Sequence, residues 1–139
     1  MNTMQLMPDQ ALPAYRDFLR QVLTEVIGQI SGEPSLSRLS RAMQAYWDAC
    51  FARRNLRSAA VEAAAGTRYA EQIEPLGLPF LKLLRAELDH IGCHEAEGLS
   101  RDIYLCARGI MMEEARTGRR ETQNRQSLLF MLREASVAH

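Results

Sequence analysis

Residues 98–120, GLSRDIYLCARGIMMEEARTGRR, read as one helix with two apolar faces, and that limits the folds open to the whole chain. At about 100° per residue, Leu99, Ile103, Cys106, Ala107 and Ile110 fall on one stripe, while Leu105 and Met112 fall roughly opposite. A single packed core accounts for the first stripe only. The second needs another surface, which a second copy of the chain supplies most simply. Gly109 costs roughly 1 kcal/mol against Ala in mid-helix and implies that a neighbouring backbone comes close there. Thr117-Gly118 ends the helix, with Arg116, Arg119 and Arg120 near its negative end. A shorter helix over residues 121–134 follows, with Leu128, Leu129 and Leu132 on its apolar face. The expectation is a homodimer joined by a four-helix interface, with Ile103, Leu105, Ile110, Met112, Leu128 and Leu132 as its candidate residues.

The rest of the chain is also helical in pattern. Residues 12–30 repeat apolar side chains at three and four (Tyr15, Phe18, Leu19, Val22, Leu23, Val26, Ile27, Ile30), a broad stripe expected to be buried, and Ser31-Gly32-Glu33-Pro34 stops it. Ser35 is a good N-cap for a second helix that places Leu36, Leu39, Met43, Trp47, Cys50 and Phe51 on its inner side as far as about Arg54. Asn55 reads as the cap of a short Ala-rich third helix ending at Gly66, whose small side chains let neighbours approach closely. From Thr67 the pattern resumes, meets Pro75, Gly77 and Pro79 within five residues, where a kink or break is expected, and continues through Phe80, Leu84, Leu88 and Ile91 to Gly92. No strand-like alternation bounded by turns and no internal repeat occurs. The fold class is all-α: one domain of about six helices over residues 12–134, with a flexible segment over 1–11 and a tail over 135–139.

Composition sets outer limits on function. A chain of 139 residues with 47% apolar and 24% charged residues belongs with folded domains rather than disordered ones. Seventeen basic residues against 17 acidic leave no surplus of Lys and Arg for neutralising phosphates, so direct nucleic-acid contact by this chain alone is not expected. No apolar run approaches the roughly 20 residues of a bilayer span, and the N-terminus lacks a signal peptide's apolar segment, so a cytoplasmic protein without membrane contact is expected. Cys50, Cys93 and Cys106 are odd in number; Cys50 and Cys106 read as small core side chains.

Four clusters invite a chemical reading. His90, Cys93 and His94 carry ligand types that suit zinc, but no second cluster completes a tetrahedron, and polar residues at a helix C-terminus are the reading preferred; no metal or cofactor is expected. Glu113 and Glu114 stand about 100° apart and do not converge on a substrate, and Arg116 three residues on makes an ordinary surface ion pair with Glu113. Arg53, Arg54 and Arg57 straddle the junction of the second and third helices; contact with a partner or an anionic ligand is one reading, and a solvated helix terminus that complements the dipole is the one preferred. Ser35, Ser37 and Ser40 lack His or Asp partners in any known motif, and no Gly-rich phosphate loop is present, so an enzyme is not expected.

The order of elements, with the segments RNLRSAAVEAAAG and ARGIMMEEARTGRR as its best markers, resembles the C-terminal domain of TetR-family transcriptional regulators over residues 12–134. The resemblance implies that the last two helices dimerise and that the earlier ones enclose a pocket for a small effector, apolar or aromatic in kind. Candidates for the pocket lining are Phe18, Met43, Trp47, Cys50, Tyr69 and Phe80, with the cavity expected beside Trp47. The family's helix-turn-helix module precedes this domain, whereas here about eleven residues precede the first helix. The chain therefore reads either as a piece of a longer repressor or as a protein keeping the sensor and dimer parts alone. The alternative is an interaction or dimerisation module with this fold and no small-molecule pocket.

Overall fold

The structure, a computed structural model, describes residues 5–137, and it is all-helical: no strand occurs among these residues. Six helices have eleven or more residues: α1 (Ala11–Gly28), α2 (Leu36–Ala52), α3 (Arg54–Ala64), α5 (Leu78–His90), α6 (Ala96–Thr117) and α7 (Thr122–Val137). A single turn, α4 (Ala70–Ile73), and the 3-10 turns Pro8–Gln10 and Glu74–Gly77 complete the chain. None of these helices is long and apolar enough to cross a membrane.

Local chemistry explains most of the boundaries. The Ser35 hydroxyl accepts from the Arg38 backbone N–H at 3.0 Å and so caps α2. Gly118, at φ 72°, takes the left-handed conformation that terminates α6, and its N–H donates to the Glu114 carbonyl. The stretch around the prolines is a full break rather than a kink: Pro75 lies in the 3-10 turn, and Pro79 sits in the first turn of α5, where its missing N–H costs little. Three boundaries differ from the sequence expectation. Asn55 caps nothing; α2 and α3 are separated by Arg53 alone, and Asn55 is an exposed residue in the first turn of α3. Residues 8–10 form a turn against α3, and α7 runs on to Val137; the expected termini beyond, residues 1–4 and 138–139, lie outside the described residues.

α1 packs across α2 and α3, and α6 packs against α2, α5 and α7, so that α2 and α6 are the shared walls of one core. α3 lies against α1 through Ala59, Ala60 and Ala64, all buried. The buried stripe of α6 is Ala96, Ser100, Ile103, Ala107, Met111 and Glu114. The stripe expected from hydropathy was thus rotated: Cys106 is exposed, not a core residue, while Leu99 and Ile110 are half-buried at its edge. Ile27 on α1 is likewise exposed, because α1 turns that edge away from both α2 and α3.

Two charged residues on inward faces carry the joints between helices. The Glu114 carboxylate, fully buried, accepts from Arg125 Nε at 2.6 Å and Nη2 at 2.7 Å, and from the Glu121 backbone N–H at 2.8 Å. Arg125 also donates to Asp48 Oδ1 at 2.7 Å and lies 5.5 Å from the centre of the Trp47 ring, while the Trp47 indole N–H donates to the Ala107 carbonyl at 3.0 Å. Helices α2, α6 and α7 thus meet on one hydrogen-bonded cluster. A second pairing, Arg38 with Glu87 at 2.8–3.1 Å, joins the start of α2 to α5, and Arg38 also reaches the Gly32 carbonyl at 2.6 Å.

Removing one partner of a buried pair strands the other charge in a low-dielectric interior. Glu114→Ala is therefore expected to cost about 3–5 kcal/mol in urea unfolding. Glu114→Met combined with Arg125→Met should cost less than Glu114→Ala alone. Additive losses would show that the two side chains do not depend on each other.

Candidate functional site

A cavity of about 330 Å³, partly open to solvent, lies between α1, α2, α3 and α6, with the segment over residues 70–80 bordering it on the remaining side. Its volume falls in the range of small-molecule sites, which are mostly apolar with a few placed polar groups. Several features of the chain make the space. On α3, Val61, Ala64 and Ala65 present short side chains where a Leu would fill the gap. Tyr15 and Phe18 of α1 pack at 5.5 Å with rings tilted by 55°, and Tyr46 of α2 packs on Phe80 of α5 at 5.3 Å and 60°, so two aromatic pairs line the cavity. Tyr104 and Met111 of α6 complete the floor.

The segment over the cavity is held by two contacts. Tyr104 Oη reaches the backbone at Gly77, where a Cβ would stand only 2.5 Å from it, so Gly77 makes room for the phenol. Arg108 of α6 donates to Glu74 at 2.8 Å and lies 5.9 Å from the Tyr104 ring centre. A much smaller apolar cleft, about 60 Å³, lies beyond Tyr46, Phe80 and Tyr104 and is lined by Val26, Leu39, Met43 and Leu84.

The polar groups of the cavity have distinct electrostatic states. Burial holds the Tyr46 hydroxyl well above its ordinary pKa, and burial raises that of Tyr104 more modestly. Burial likewise pushes the Cys50 thiol up to about 12, so it remains protonated and a poor nucleophile. Arg57 projects from α3 into the same space, near enough for its charge to act on both Tyr46 and Cys50. Its Nε is buried and has no hydrogen-bond partner, the one such side-chain nitrogen or oxygen among the described residues.

Of the six residues expected from sequence to line a pocket, Phe18, Cys50 and Phe80 line this cavity, and Met43 lines the adjoining cleft. Trp47 lines neither. It is fully buried and packed solid against α6 and α7, and the cavity opens instead on the Tyr46 and Cys50 side of α2. Tyr69 stays at the surface, stacked with Arg68 at 5.1 Å. The sequence reading missed Tyr15, Tyr104 and Arg108, and it preferred a solvated terminus for Arg57 over contact with an anionic ligand. The signal for Arg57 is its spacing: it stands four, seven and eight residues before Val61, Ala64 and Ala65, on the inward stripe of α3. Nor do its neighbours form a solvated terminus, since Arg53 pairs with Glu25 at 2.7 Å and Arg54 lies 4.3 Å over the Phe51 ring.

The other singled-out clusters are structural. Glu113 pairs with Arg116 on the surface of α6, as the spacing indicated, but Glu114 is not a surface residue and serves the joint with α7. Among the described residues no group of three or more His, Cys, Asp or Glu side chains converges as a metal site. Cys93 is buried, with His90 and His94 exposed on either side. Of the expected interface residues, Ile103, Leu128 and Leu132 face the chain's own core, Ile110 is half-buried, and Leu105 and Met112 are 48% and 46% exposed. A Cβ at Gly109 would meet nothing within 4 Å, so no backbone of this chain approaches it; Gly109 lies on the same outward face as Leu105 and Met112. Compared with family models, curated proteins and solved structures, the chain matches none.

The three thiols are expected to separate in reactivity. A native protein treated with a thiol reagent at pH 8 should react promptly at Cys106 alone, and Cys106→Ser should abolish that prompt phase, leaving Cys50 and Cys93 to react only on unfolding. Prompt reaction at Cys50 would contradict the burial of the cavity wall.

Proposed function

We propose that this chain is a small-molecule-binding and dimerising domain, built as a sensor of an effector held in the cavity beneath residues 70–80. The observation that carries the reading is that cavity of about 330 Å³, with aromatic walls and a few oriented polar groups. A core of this size closes such a gap with a Leu or Phe; this chain places Val61 and Ala64 of α3, Ala65 just after it and Ala70 of α4 there instead. The resemblance to the C-terminal domain of TetR-family regulators supports the same reading, since it implies a pocket in this part of the bundle.

The dimer rests on the outward faces of the last two long helices. Leu105 and Met112 on α6 and Phe130 and Met131 on α7 are each about half exposed or more. Gly109, open to space between the two α6 residues, lets another backbone come near. Those faces also favour the second reading, an interaction module that dimerises and takes no effector.

Native mass spectrometry of protein purified from its host tests both parts at once. The expected result is a dimer carrying a discrete added mass below that of a peptide. Val61→Phe, which fills the cavity, should lose the added mass and keep the dimer. Leu105→Glu, at a position exposed in the single chain, should give a monomer with unchanged helical circular dichroism. A dimer that never carries added mass favours the interaction module, and a wild-type monomer removes the dimer.

A further inference from the structure

We infer that the ligand of this cavity is a monoanionic carboxylic acid with an aromatic or aliphatic body, its carboxylate held by Arg57. The inference rests on the reading of the cavity as a small-molecule site and adds the chemistry of what enters it.

The argument begins with an imbalance. Three charged side chains face the cavity: Arg57, Arg108 and Glu74. Arg108 and Glu74 are bonded to each other at 2.8 Å and cancel. Arg57 makes no side-chain hydrogen bond and no ion pair within the described residues, although the other arginines of the same segment, Arg53 and Arg54, are both engaged. Two carboxylates on neighbouring helices are already engaged elsewhere. Glu114, behind Cys50, is committed to Arg125, and Asp48 is shared by Arg125 and Arg120. The interior space thus carries one uncompensated positive charge, next to apolar walls that weaken its hydration.

The geometry of the guanidinium selects among anions. Protein atoms cover the unpartnered Nε, so the edge that faces the space is the one between the two terminal guanidinium nitrogens, which make no hydrogen bond within the described residues and can receive the two oxygens of a carboxylate side by side. One surplus charge matches a monoanion; a phosphate dianion would exchange one imbalance for another. Near this charge stands the hydroxyl of Tyr46, protonated at pH 7 and able to donate to an oxyanion, while that of Tyr104 lies in the same cavity against Gly77. The body of the ligand then lies between the Tyr15–Phe18 and Tyr46–Phe80 pairs, where the lining is aromatic and aliphatic. The site is thus polar at one end and apolar along its length.

The test is isothermal titration calorimetry at pH 7 with matched probes: benzoate, 2-naphthoate, octanoate and decanoate, each against its primary amide, on the wild-type chain. At least one acid should bind about 10- to 100-fold more tightly than its amide, the range set by a charge-assisted hydrogen bond. Arg57→Met should bring that acid down to the affinity of the amide without changing the amide itself, and Arg57→Lys should restore part of the difference. Arg68→Met, at an exposed arginine outside the cavity, should change neither, which separates the site from general attraction to basic surface. Circular dichroism of each variant checks that the fold is retained. If amides bind as well as acids and Arg57→Met alters neither, the anion assignment is overturned while the cavity remains a ligand site. If no acid and no amide binds, the assignment and the cavity reading fall together.

Discussion

The buried pair of Glu114 and Arg125 is the contact on which the other packing depends. Two ionised groups leave water together, and the cost is offset by the bonds around them: two arginine bonds, a backbone N–H from Glu121, and a second carboxylate, Asp48. Such a set of bonds has one satisfactory geometry. It fixes α7 on α6 at the level of Trp47, and the indole hydrogen bond to Ala107 fixes α2 on the same helix. With α2 held along its Trp47 side, the neighbouring side of that helix, carrying Tyr46 and Cys50, is presented to the opposite half of the bundle. The cavity stands where it does because α2 has two differently employed faces.

The opposite half is built on other principles. α1 and α3 meet through alanines, which permits close approach and leaves short side chains towards the centre. The connection from α3 to α5 is not a helix of any length but one turn of α-helix and a 3-10 turn, broken by Pro75 and Pro79. The result is a rigid joint on one side of the cavity and a thin covering on the other. Arg57, extending from the alanine-rich side, is the charged group of the cavity wall that makes no hydrogen bond or ion pair among the described residues.

How much of this the sequence disclosed follows from what each residue's signal depends on. The Ser35 cap, the Gly118 stop, the break at the prolines and the buried alanine helix rest on local chemistry, and local chemistry is written in adjacent residues. The rotation of the α6 stripe was not legible in the same way. Its inner face is completed by Ser100 and Glu114, which any hydropathy scale assigns to solvent, so that Cys106 and Ile110 drew the estimate of the face away from Met111. Glu114 is buried because Arg125, in the next helix, waits for it. The same holds for the cavity: Phe18, Cys50 and Phe80 were legible as inward side chains, but an aromatic at helical spacing reads alike whether it fills a core or borders a space. Trp47 illustrates the difference, since its solid packing comes from partners on α6 and α7.

The covering over residues 70–77 is secured to α6 by the Arg108–Glu74 pair and by the seat of Tyr104 against Gly77, and its prolines remove backbone donors. The α2, α6 and α7 joint, by contrast, is fastened by buried, charge-assisted bonds. Stability is then spread unevenly along the chain, and the least costly local opening falls on the covering rather than at the joint. A local opening there would widen the mouth of the space and leave the joint of α2, α6 and α7 intact.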